Sequence, residues 1–278
     1  MARCTVPEAD AILDKEYRVL NKGFVRLVDY LGSDERIVQA ARVSYGAGTK
    51  TYREDRGLID YLLRNEHTSP FEQVVLTFHV KMPIFVARQW VRHRTGRLNE
   101  ISGRYSVMEQ EFYVPEGEDL SLQSTDNKQA RSEETLGAKV QDEVCALIEG
   151  QQKDIYRGYE RLLNLGLARE VARINLPLSL YTQWYWQMDL HNLFHFLKLR
   201  MHPHAQLEIR RYAEKIWELV KIVCPLASEA FENHVLGGRS FSARELDALR
   251  KMTGGDECPL AGKERERFYE KLGTPGKE

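Results

Sequence analysis

The chain has 278 residues, with 40 Lys+Arg against 41 Asp+Glu and a formal charge of −1. That length suits one large domain or two small ones, and an apolar content of 42% excludes a disordered chain. No apolar run is long enough to span a membrane, the N-terminus lacks a signal-peptide core, and the balanced charge argues against a nucleic-acid backbone as partner; a soluble, cytoplasmic protein with no membrane or nucleic-acid partner is expected.

In chain order, residues 1–15 read as a mobile leader, followed by a strand through Val25, Leu27 and Val28 that stops at Leu31-Gly32-Ser33. Ser33 is placed as an N-cap, with Arg36 where a capping box would need Glu or Gln. Ile37, Ala40, Ala41 and Ser44 then recur at helical spacing. The Gly-rich loop Tyr45-Gly46-Ala47-Gly48 leads to a second helix through Leu58, Tyr61, Leu62 and Asn65, which Pro70 closes. Val74, Leu76, Phe78 and Val80 alternate with Val75, Thr77, His79 and Lys81, the pattern of a strand with one better-buried face. Pro83 suits the first position of a helix from Ile84 to about His93.

Residues 115–134 are polar and turn-rich and read as a long surface loop, before an amphipathic helix at 135–165 with Val140, Val144, Ile148, Ile155 and Tyr159 among its apolar positions. Leu176 to Trp186 reads as a strand buried on both faces. Asp189 is placed as the N-cap of a helix from His191 to Arg200. Pro203 interrupts it, and Ala205 to Ile222 is helical again. Beyond Gly237 the chain is charged, with one short helix at Ala243–Met252 and a mobile tail. The architecture expected is a single α+β domain, helices on a mixed or antiparallel sheet, with a C-terminal extension.

The densest chemistry lies at Arg88-Gln89-Trp90-Val91-Arg92-His93-Arg94 through Arg104-Tyr105, where five arginines fall within seventeen residues of a near-neutral chain. Guanidinium is a planar, permanently charged fork suited to phosphate. Arginines interleaved with Trp90, Val91 and Tyr105 and fed from an apolar strand suit a nucleotide-sized anion pocket; a solvated basic face is the plainer reading. His191 and His195 are four residues apart on one helical face, and with His202 and His204 they leave a metal site open. Arg173 and Arg200 sit in apolar surroundings, where a buried cation needs an anionic or polar partner. The four cysteines, Cys4, Cys145, Cys224 and Cys258, show no C-x-x-C spacing, and no Gly-rich dinucleotide or phosphate loop occurs.

Arg92-His93-Arg94, seven residues, then Ser102 resembles the R-H-R-x7-S signature of the flavin-dependent thymidylate synthases. Four further blocks match in order: His67-Thr68-Ser69-Pro70-Phe71-Glu72, Pro83 through Trp90, Arg169-Glu170-Val171-Ala172-Arg173 with Leu176-Pro177-Leu178, and Leu199-Arg200 with His204-Ala205-Gln206. The resemblance covers residues 16–235 as a catalytic domain and leaves 236–278 as a charged extension. Arg97 stands where the longer motif carries Ser, and Gln73 where His is frequent.

The resemblance implies reductive methylation of dUMP to dTMP, with 5,10-methylenetetrahydrofolate as carbon donor, NADPH as reductant, FAD as relay and no cysteine nucleophile. It implies that dUMP is held by Gln89, Arg92, Glu100, Ser102, Gly103, Arg104 and Arg173, with Arg200 against the pyrimidine as the catalytic group. It implies FAD contacts from Ser69, Arg92, His93, Arg94, Glu100, Asp189, Leu190, His191 and His195, with Ser44 and His67 as further candidates. The family's α+β fold assembles as a homotetramer with active sites shared between subunits. Two readings compete: a metal-dependent hydrolase on His191, His195, His202 and His204, and a nucleic-acid-binding module on residues 88–105.

Overall fold

The computed structural model describes residues 5–45, 52–125 and 131–273. The chain divides into two compact units, Met1–Ala230 and Phe231–Glu278. The first is built on strands β1 (Glu16–Val19), β2 (Gly23–Leu31), β3 (Val75–Pro83) and β4 (Arg97–Glu100), a separate ribbon of β5 (Ser121–Gln123) with β6 (Arg131–Thr135), and β7 (Tyr181–Asp189). Five of these form one sheet in the order β1-β2-β3-β7-β4, every neighbouring pair antiparallel. Its helices are α1 (Pro7–Asp10), α2 (Asp34–Ala41), α3 (Tyr52–Arg64), α4 (Ile84–Trp90), α5 (Ala138–Asn164), α6 (Arg169–Ala172), α7 (Leu190–Arg200), α8 (Leu207–Val223) and α9 (Pro225–Phe231).

The alternation in β3 sets one face of the sheet. Leu76, Phe78, Val80 and Met82 are buried, and the register places Phe78 opposite Trp186, Val80 opposite Trp184 and Leu76 opposite Met188. Cross-strand pairs of this kind are the unit of sheet stability. Trp90 of α4 closes the layer, 5.2 Å from the Trp186 ring, 5.7 Å from Trp184 and stacked at 4.9 Å on Phe196 of α7. Tyr212 of α8 completes it and donates its hydroxyl to Lys81 O at 2.8 Å.

β7 is not buried on both faces as its composition suggests: Tyr185 is 45% exposed and stacks on His79 on the open side. Residues 176–180 precede the strand: Leu180 bridges to Phe112, and the carbonyls of Leu178 and Leu180 accept from Phe85 N and Ile84 N. The stretch expected to be a loose leader instead carries α1. Ala9 is buried, and the Tyr30 hydroxyl accepts from Val6 N at 2.8 Å and donates to Asp10. The described residues of 115–134, expected to be a long surface loop, include the β5–β6 ribbon, with Arg131 paired to Glu208 and Arg211 to Asp119. Ser33 occupies the N-cap of α2, without a side-chain capping bond to the helix. Ser44 falls in the 3-10 turn Arg42–Tyr45, and the glycines of the following loop lie outside the described residues.

α5 packs through Gln152, Tyr156 and Tyr159 against Met108, Phe112 and Leu180. Tyr156 donates to Met108 O, and Tyr159 accepts from Met108 N. Away from that face Val140 and Leu147 are exposed, Ile155 is exposed at its flank, and so are Leu165, Val171 and Ile174 further along. The second unit contains α10 (Ala243–Thr253) and a helix not expected from the sequence, α11 (Gly262–Leu272), around Ala248, Leu260 and Phe268. Ser242 and Glu245 form a full capping box on α10, and Glu245 is bound by Lys271. Among the described residues no helix is long and apolar enough to cross a membrane.

Candidate active site

β3 runs directly into α4 at Pro83, whose φ of −64° is already compatible with a helix start. The helix ends at Trp90, earlier than expected, so Arg88 and Arg92 do not share a helical face. Arg92-His93-Arg94 instead forms a turn between α4 and β4. That turn lies close to the sheet at Gly96, where a Cβ would stand 2.4 Å from Trp186 Nε1 and 3.0 Å from Met188 Cε. Only a residue without a side chain fits there.

Arg200, the last residue of α7, reaches back to this turn. Its Nε donates to His93 Nε2 at 3.0 Å and its NH2 group to Gln89 O at 3.2 Å. The Gln89 side chain is bound in turn by Gln206. His195 lies beside His93, ring centroids 6.1 Å apart, and Phe196 meets the His93 ring edge-on at 4.9 Å. Burial first, then the charges of Arg200 and His195, push the His93 pKa down to about 4, so the ring is neutral near pH 7. Burial and the neighbouring Arg92 also lower Arg200 from its usual value. Arg88, Arg92 and Arg94 have no side-chain partner among the described residues. Cationic and neutral donors are thus gathered here without a carboxylate among them.

A second group adjoins along β4. Glu100 accepts from Thr182 Oγ1 at 2.5 Å, and Ile101 N donates to Gln183 O at 2.9 Å. The following turn is closed by Tyr105 N on Ser102 O, while Arg104 N donates to Ser102 Oγ at 3.3 Å. Gly103 is buried: a Cβ there would meet Met108 Sδ at 3.0 Å and Arg173 Cδ at 3.1 Å. The structure therefore brings Ser102, Gly103, Arg104 and Arg173 together. Arg169 on Tyr105 O and Arg104 beside Glu170 tie the turn to α6.

The remaining expected residues divide. Asp189 caps α7, its Oδ1 accepting from Asn192 N at 2.9 Å and its Oδ2 from Asn192 Nδ2 at 2.7 Å. Leu190 turns its side chain inward. It is fully buried in the core and its amide is bonded to Val74 O, as suits the first residue of a helix leaving a sheet. His191, Ser69 and Arg94 are reachable from solvent, and no hydrogen bond or ring contact joins them to the cluster among the described residues. His67 is exposed, its ring edge-on to Tyr61. Thr182, Gln183 and Gln206 were missed, because they enter through β-register or tertiary contacts that leave no local signal. Among the described residues no three His, Cys, Asp or Glu side chains are placed to hold a metal ion, which removes the support for a metal-dependent hydrolase.

Two family profiles match the chain: "Thymidylate synthase complementing protein" over residues 26–226 and "Thymidylate synthase ThyX C-terminal domain" over 240–275. A flavin-dependent thymidylate synthase of Treponema denticola is 65% identical over 94% of this chain and 98% of its own length. The chain belongs to the flavin-dependent thymidylate synthase family. The Thermus thermophilus member is 55% identical over 93% of this chain and 96% of its own length. Among solved structures, the UMP/dUMP methylase PolB from Streptomyces cacaoi, crystallised with 5-Br dUMP, superposes with a TM-score of 0.72 at 34% identity, covering 79% of this chain and 98% of its own. The two profiles meet the chain on either side of the division between its two units.

Proposed function

We propose that this chain catalyses the reductive methylation of dUMP to dTMP, with 5,10-methylenetetrahydrofolate as carbon donor and NADPH as reductant, using bound FAD. The single observation carrying this reading is the cluster of Arg92, His93, His195 and Arg200, in which neighbouring cations have no carboxylate ion pair among the described residues. Such a cluster is electrostatically incomplete and calls for an anion of matching size.

The donor set fits a flavin dinucleotide. Unpartnered Arg92 and Arg94 are suited to its pyrophosphate, and His93, His191 and His195 offer donors or flat rings alongside. Ser69, Glu100 and Asp189 would supply further polar contacts. When bound, FAD supplies the redox relay between the reduced nicotinamide and the transferred carbon. Every remaining task falls to side chains of the chain.

Arg173 and the Ser102–Arg104 turn would grip the nucleotide phosphate, with Gln89, Arg92 and Glu100 along its length. Ser102 Oγ accepts the Arg104 amide, and among the described residues no His or carboxylate is hydrogen-bonded to it, which suits a phosphate donor rather than a nucleophile. Arg200 would present a fixed cation to the pyrimidine, favouring ionisation at N3 and electron density at C5. Among the described residues of the first unit no thiol competes for this role: Cys224 is buried and Cys145 donates to Pro115 O.

A cytoplasmic homotetramer with active sites shared between subunits is part of the same proposal; the exposed apolar residues of α5 and its continuation, Leu147, Ile155, Leu165 and Ile174, support a contact surface between subunits. The test is a visible spectrum of purified protein, followed by anaerobic NADPH, dUMP and methylenetetrahydrofolate. A flavin band bleached by NADPH, with dTMP formed, is the expected result. Colourless protein that takes up no FAD and forms no dTMP overturns the reading.

A further inference from the structure

We propose that His93 is a positioning residue for Arg200, orienting the guanidinium without neutralising it. The proposal rests on the dUMP reading above. Arg200 uses one edge of its fork for the protein: Nε–H on His93 Nε2 and NH2 on the Gln89 carbonyl. The outer edge, NH1 with the second NH2 hydrogen, is left for a planar ligand.

Both partners are neutral acceptors. A carboxylate in the place of His93 would hold the fork as firmly, but would cancel the charge that the pyrimidine must feel. An imidazole accepts at Nε2 only when that nitrogen carries no proton. The groups facing His93 enforce this state: Arg200 and His195 from α7, with Arg92 beside Arg200, are all positively charged or able to become so. The ring plane is fixed separately. Phe196 meets it edge-on, and Phe196 is itself stacked on buried Trp90. His93 therefore connects a rigid aromatic layer to the Arg200 guanidinium.

Three substitutions separate orientation from charge. His93→Phe keeps the ring and loses the acceptor, His93→Gln restores a neutral acceptor, and His93→Glu supplies a charged one. Each is made in the native and the Arg200→Ala background. FAD content, dUMP Kd by calorimetry on the holoenzyme, and kcat/KM for dTMP formation are measured in all of them. In the native background, Phe and Glu should each lower kcat/KM about 10- to 100-fold, the range for a misplaced catalytic group, and Gln should recover most of the loss. In the Arg200→Ala background, His93→Phe should change the dUMP Kd less than about twofold, since groups acting as a unit are non-additive.

An equal loss in both backgrounds, or Gln no better than Phe, overturns the proposal and leaves His93 a plain ligand contact. An unimpaired His93→Glu overturns the charge argument. Wild-type protein that forms no dTMP defeats the parent reading, and is scored first so that the two failures are distinct.

Discussion

Replacing Arg131 by Met should destabilise the first unit far more than its half-exposed position suggests. Its partner Glu208 is 2% exposed, with Oε1 shared between Arg131 and the Tyr113 hydroxyl (3.1 Å) and Oε2 buried without a partner. Tyr113 cannot share the charge: burial and the nearby Glu208 and Asp119 carboxylates raise its phenol, so it remains a neutral donor. Methionine keeps the aliphatic stem but strands a buried carboxylate, a change of about 3–5 kcal/mol. For a unit of this size that lowers Tm by about 10 °C. Tryptophan fluorescence is the assay of choice, because Trp90, Trp184, Trp186 and Trp217 all lie in the first unit. Adding Glu208→Gln should recover about half of the loss, since the amide oxygen still accepts from Tyr113 with no charge left to solvate. The reasoning fails if Arg131→Met lies within about 1 kcal/mol of wild type, or if Glu208→Gln does not rescue it.

Asp189→Ala removes the acceptor for Asn192 N and Nδ2 and should lower stability by about 1–2 kcal/mol, read by urea denaturation. Gly103→Ala forces Met108 and Arg173 to yield by a few tenths of an ångström. Its expected signature is a small change in Tm with a several-fold weaker dUMP Kd, and an unchanged Kd would count against Arg173 in the phosphate grip. Asp34 caps α9 by accepting from Leu226 N at 2.7 Å and Ala227 N at 3.0 Å, yet burial raises its pKa from 3.8 to about 6. A raised folded pKa gives stability that is full below the unfolded value and is lost as pH rises through the folded one. The stability of Asp34→Asn relative to wild type should therefore rise by about 2 kcal/mol between pH 4 and pH 7. A flat difference across that window would show that Asp34 stays ionised throughout.

The elements that could be read from the chain are those whose packing repeats at a fixed period. β3 follows strict alternation, α3 and α8 present regular apolar faces, and Asp189 caps α7 where its neighbour spacing placed it. The ribbon at 121–135 escaped because its residues are polar, and its stability comes from ion pairs to α8 more than 70 residues away. α11 escaped for a similar reason, since its one buried anchor, Phe268, sits among charged neighbours. At the site, the R-H-R-x7-S residues were legible as a motif, but their relation was not. The bond from Arg200 to His93 spans 107 positions, and Thr182 meets Glu100 only through the β4–β7 register. For Leu190 the motif names a position, and only the fold shows that its side chain faces the core.

The strand order carries a cost during synthesis. β1, β2 and β3 can fold as a meander once Pro83 has left the ribosome, but β7, which covers the other edge of β3, is made roughly 100 residues later. At about 5–20 residues per second that is a wait of ~5–20 s. Throughout it, Leu76, Phe78 and Val80 stand on an unpaired edge of the kind that recruits other chains. Lys81 on β3, with Arg26 and Asp29 on its paired neighbour β2, are the charged interruptions near that patch. Pausing within residues 84–180 should therefore reduce soluble yield more than an equal pause after Asp189, even though the finished protein is the same.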